Sequence, residues 1–220
     1  MTTTGHTSTR AGRRPGHEGG IFADWVLLVT IGEFLGFLAP ALVGTLAAGT
    51  SPYRFLFAMV AAGLVEGAVL GTAQSVVLHR RWPALRRRDW IAATTSAAGF
   101  AWLIGMLPST FDQVWLDWPT ALTVAVAAVL GCLMLFSFGF LQWRVLRHHL
   151  ARAWRWIPAV AIGWAIGLTV LLAVVLPLWQ PGQSGIVVAA IGAIGGLVMA
   201  ASMALLTGWM LNWMIRHEPH

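Results

Sequence analysis

The chain has no lysine, one cysteine and one tyrosine in 220 residues, and only 10% of its residues are charged. Without lysine there can be no Schiff base to retinal, and no lysine to hold nucleotide phosphates in a Walker-type loop. The single cysteine, Cys132, can form no intramolecular disulfide, and inside an apolar segment it reads as a packing residue. No His-Glu-x-x-His zinc motif and no Gly-x-Ser-x-Gly elbow occurs. His79, His148 and His149 fall at the edges of apolar segments, so a haem held by two histidines in a bilayer core has no ligands. These absences leave no enzyme to argue for, and the identity of any cofactor is unknown from the sequence.

What is present is apolar: 58% hydrophobic residues, 13 tryptophans and a mean hydropathy of +0.74. A soluble domain of this length carries far more charge. The apolar runs are Ile21–Leu46, Tyr53–Leu78, Trp90–Leu107, Thr120–Leu146, Ile157–Leu178 and Ile186–Met214. A bilayer-spanning helix needs about 20 such residues, and only the third run is near the lower limit. The expected fold is therefore an all-α integral membrane protein with six transmembrane helices. It forms one domain over residues 21–214, with a tail over 1–20 and a short C-terminus over 215–220. The tail, rich in Thr, Gly and Arg, has little to bury and is expected to be disordered. The first run is too long for a signal peptide and carries an acid, so cleavage is not expected.

All fourteen basic residues are arginine, and thirteen of them fall on one side of this topology. They occupy the tail (Arg10, Arg13, Arg14), the connection after helix two (Arg80 to Arg88), the connection after helix four (Arg144 to Arg155) and Arg216. Arg54 is the exception. The positive-inside rule places both termini in the cytoplasm. The same loops suit anionic lipid headgroups, and topology accounts for their charge without nucleic acid. Trp82, Trp90, Trp154 and Trp156 on one side, with Trp115, Trp118 and Trp179 on the other, read as aromatic belts.

The helices repeat in pairs. Trp25, Gly32 and Gly36 in helix one match Trp156, Gly163 and Gly167 in helix five, and Trp90 opens helix three. Helix two ends Gly71-x-x-Gln74-x-x-x-Leu78, helix four ends Gly139-x-x-Gln142-x-x-x-Leu146, and helix six keeps Gly196 with Met199 in place of glutamine. The pattern describes three parallel two-helix hairpins about an axis along the membrane normal. Gln74 and Gln142 are expected to bond between helices where the Gly32–Gly36, Gly67–Gly71, Gly163–Gly167 and Gly192–Gly196 pairs allow close approach. The repeated Gly-x-x-Gln-x-x-x-Leu ending resembles that of small uncharacterised polytopic membrane proteins of bacteria. The resemblance implies a bacterial cytoplasmic (inner) membrane location and says nothing of activity.

Glu33 and Glu66 interrupt this scaffold. Each lies near the middle of an apolar run, twelve residues from the basic end, with no base at that depth. At 1.5 Å per residue both are roughly 18 Å from that end, so adjacent helices can bring them together. A charge at the helix centre costs about 2.5–3.5 kcal/mol, which makes such acids functional candidates. In the glycine and glutamine registers Glu33 aligns with Trp164, and Glu66 with Met134 and Ile191, so both acids are confined to one hairpin. One reading is a site, with Thr30 alongside, that binds or moves a proton, a cation or a small cationic solute. The bland reading is two neutral acids bonded to a carbonyl, Thr30 or an amide. Two other roles remain open: a non-catalytic subunit that packs on a membrane-protein partner or on itself, and a pigment, quinone or lipid site.

Overall fold

The computed structural model describes residues 18–218. Most of the expected tail, residues 1–17, lies outside the described residues, but helix α1 begins at Glu18, three residues ahead of the first apolar run. The chain then forms α2 (Pro52–Arg81), α3 (Arg87–Thr110), a single short turn α4 (Asp112–Leu116), α5 (Thr120–Leu146), α6 (Trp156–Leu178) and α7 (Gly185–Arg216). A 3₁₀ turn, Ala153–Arg155, leads into α6. Among the described residues there is no strand, and six helices are long and apolar enough to cross a membrane. Local chemistry sets several ends. Pro52 occupies the first turn of α2, where its missing N–H costs no hydrogen bond, and the Ser184 hydroxyl accepts from the Val187 amide to cap α7.

Each long helix packs on its neighbours in chain order, and α7 closes the ring on α1. The helices are apolar on nearly every face, so the side that points outward is identified by exposure. On α1 the stripe Leu27, Ile31, Leu35, Leu38 and Leu42 is exposed, whereas Trp25, Val29 and Glu33 are buried. Such a surface is unsuited to water and matches acyl chains. Cys132 also faces outward, which corrects its expected place in the packing.

Asp24 on α1 pairs with Arg80 at the end of α2 at 2.7 Å, and the Ala151 amide donates to Glu218 near the C-terminus. Both described termini and the arginine-rich connections therefore share one end of the bundle. Packing is tightest toward that end: the buried residues of α5 are Phe138, Gly139, Gln142 and Leu146, all in its last third. In α6 every buried residue lies between Trp156 and Gly167, its first half.

Candidate functional site

Gly32 and Gly36 let α1 approach α2 backbone to backbone. A methyl group at Gly36 would sit 3.0 Å from the Glu66 carbonyl oxygen, and one at Gly32 would sit 2.5 Å from the Ala73 Cβ. This contact carries Glu33 and Glu66 into the interior, at 0% and 5% exposure. The two carboxyl groups are electrostatic neighbours across the helix pair.

Their partners differ. The Trp102 indole N–H on α3 donates to Glu66 Oε2 at 2.5 Å. Trp102 reaches it because Gly63, one turn before Glu66 on α2, has no side chain; a Cβ there would overlap the indole ring. No amide, hydroxyl or indole donates to either oxygen of Glu33, whose polar neighbour is the Glu66 carboxyl itself, and the Thr30 hydroxyl one turn away is also buried without a partner. Of the partners that the bland reading offers the acids, Thr30 is not bonded to either. Two ionised carboxylates with no other donor for Glu33 would be costly in an apolar interior.

Glu66 also lies on the wall of a cavity of about 340 Å³ that is lined by residues from all six long helices. Phe37, Trp102, Phe138 and Trp164 line it together with methionines and leucines, and Glu66 is its one ionisable lining residue.

The glutamines lie nearer the arginine-rich end, apart from the acids. Gln142 Nε2 donates to Gln74 Oε1 and to Thr94 Oγ1, both at 3.0 Å. The Trp90 indole donates to Gln74 at 3.0 Å, and the Trp156 indole to Gln142 at 2.9 Å. Trp25 donates to Thr207 at 3.0 Å. Trp90 and Trp156 are fully buried, which corrects their expected place in an aromatic belt. An indole ring can be buried at little cost when its single N–H finds an acceptor, and here each does. Trp156 lies edge-on to Trp25 at 5.7 Å and tilted against Trp90 at 6.3 Å, so three indoles fill one layer of the bundle.

Of the glycine pairs, Gly32–Gly36 meets α2, Gly67–Gly71 meets α3, and Gly163–Gly167 meets α7. The fourth does not behave as a pair, since Gly196 touches Phe37 but Gly192 has no neighbour within 4 Å. Three participants escaped the sequence: Trp102, Thr94 and Thr207. Trp102 had no local signal linking it to Glu66. Thr207 had one: Thr207 and Leu211 keep the spacing of Gln74 with Leu78 and Gln142 with Leu146, and all three leucines are buried. Thr207, eight residues beyond Met199, is the residue that bonds the third tryptophan.

Comparison of the chain with family models, with curated proteins and with solved structures found no match.

Proposed function

We propose that this chain is a multi-pass protein of a bacterial cytoplasmic membrane, with both termini on the cytoplasmic side, that binds or carries a proton, a cation or a small cationic solute at the Glu33–Glu66 pair. The observation that carries the reading is Glu33, fully buried with both carboxyl oxygens lacking a partner beside a second acid. Two ionised carboxylates there would face each other with no base at their depth. One proton held between them removes the repulsion and supplies the missing donor. A cation would do the same by charge. A purely structural role leaves Glu33 unexplained, because an apolar side chain would fill the same space without stranding a carboxyl group.

The reading extends to the hairpin repeat. It is supported by the three indole bonds, each from the first helix of a hairpin to the second helix of the preceding one around the ring. Counting eight residues back from Gln74, Gln142 and Thr207 gives Glu66, Met134 and Met199, and all three line the cavity. The acid thus stands where the other two copies carry methionine. This register replaces Ile191 by Met199 as the third counterpart.

Purified protein in liposomes loaded with a pH-sensitive dye tests the proposal. The wild type is expected to dissipate an imposed pH gradient, with Na⁺, K⁺ or an organic ammonium ion supplied outside, at least about tenfold faster than E33Q or E66Q. Equal rates in folded wild-type and double-variant protein would refute it.

A further inference from the structure

The cavity wall defines what kind of cation it can take. A hard inorganic cation gives up water only for several oxygen ligands, and this wall offers the single Glu66 carboxyl, whose Oε2 already accepts from Trp102. A quinone would present carbonyl acceptors to a carboxylate that is itself an acceptor when ionised. The remaining surface is wholly apolar: the four aromatic residues Phe37, Trp102, Phe138 and Trp164, three methionines, three leucines, Ala101 and Gly105. Aromatic faces attract weakly hydrated organic cations, most of all when water is excluded, and methionine fits its shape to an irregular apolar body. At about 340 Å³ the space is at the low end of the roughly 300–1,000 Å³ of small-molecule sites.

From this arrangement we infer that the central cavity binds a compact organic monocation, a quaternary or protonated amine with an aromatic or branched aliphatic body, with its charge at Glu66 and its apolar part among the aromatic rings. The inference rests on the proposed role of the acid pair and specifies its ligand. Glu33 lies behind Glu66 on the α1 side and is not part of the cavity wall. It serves as the reserve carboxyl: the proton shared by the pair moves to Glu33 when the cation neutralises Glu66. The O–H bond moves from one carboxyl to the other, the pair keeps its one proton and its single negative charge, and the bound monocation brings the site to neutrality.

Equilibrium dialysis of purified protein with radiolabelled benzyltrimethylammonium tests the inference, with neopentylbenzene as the uncharged probe of the same shape. The wild type is expected to bind the cation saturably, and the neutral probe at least about tenfold more weakly. E66Q should lose at least about tenfold in affinity for the cation. L168W, which fills the cavity from α6 without altering either acid, should abolish its binding. Equal binding of the two probes, or no binding of the cation, would overturn the inference. If Glu-dependent dissipation of the pH gradient persists in either case, the acid pair keeps its proposed role and only the ligand class is wrong. If that dissipation is absent as well, both readings fall. Comparing two probes on the unaltered protein keeps the test decisive even if a variant fails to fold.

Discussion

Glu33 is held in place by its neighbours on α1: Gly32 and Gly36 bring α2 close enough for Glu66 to face it, and no donor comes with Glu66. A glutamine at 33 brings an N–H that can donate to Glu66 without a shared proton, so E33Q is expected to leave unfolding resistance unchanged or raised by up to about 1 kcal/mol while the proposed transport is lost. Unfolding in graded denaturing detergent measures the first, and the liposome assay the second; marked destabilisation would show that Glu33 has a structural partner. Trp102 behaves oppositely, since its N–H is the donor Glu66 has. W102F should cost about 1–2 kcal/mol and free the Glu66 carboxyl. G63A should mimic it, because a methyl group there displaces the indole ring. If G63A leaves the tryptophan fluorescence and the stability of the wild type intact, Gly63 does not seat Trp102. Outside the six long helices, burial and the adjacent His148 hold His149 below the ordinary histidine range, so its NMR titration midpoint should fall below about 6.5.

Between elements, glycine sets the distance and polar groups set the register. A methyl group at Gly139 on α5 would come within 2.6 Å of the Ile157 carbonyl oxygen on α6, so G139A should force these helices apart at a cost of about 1–3 kcal/mol. The adjacent amide network has a different signature. Gln142 bonds residues on three other helices, Gln74, Thr94 and Trp156. Q142L should therefore strand the Trp156 N–H and cost about 1–2 kcal/mol, with non-additive effects when combined with Q74L. Strict additivity of the two stability changes would show that the amides act independently. The glutamines and three of the four glycine pairs were identifiable in the sequence by their spacing. Their partner Thr94 was not, because it resembles any other threonine in an apolar helix until the neighbouring helix is in place, whereas Thr207 was marked only by its spacing to Leu211.

The whole molecule is a closed ring of six long helices, packed most tightly where the arginine-rich connections lie, with its partly open cavity nearer the middle. Three buried indoles and two amides stand between that cavity and the basic end, so access to Glu66 from that side requires the network to part. In the proposed orientation the basic end is cytoplasmic. With Cys132 replaced by serine, a cysteine at Gln183 should react with an impermeant maleimide on intact cells, and one at His148 only after lysis. The reverse pattern would invert the topology and the direction of any transport.

Sequence alone determined the number and approximate ends of the long helices, the clustering of arginine at one end and the two acids at matched depth. Hydropathy and helical rise are local properties, summed along the chain, so they needed no knowledge of neighbours. The tertiary structure decided which face of each helix turns inward. A helix that is apolar on all sides carries no amphipathic stripe to announce its buried face, and lipid and protein interior are nearly equal solvents for leucine. The choice falls to close approach at glycine and to the pairing of scarce polar groups among six helices. That is why Trp90 and Trp156 proved to be core residues, why Thr207 took the third tryptophan, and why Glu66 has a donor while Glu33 has none.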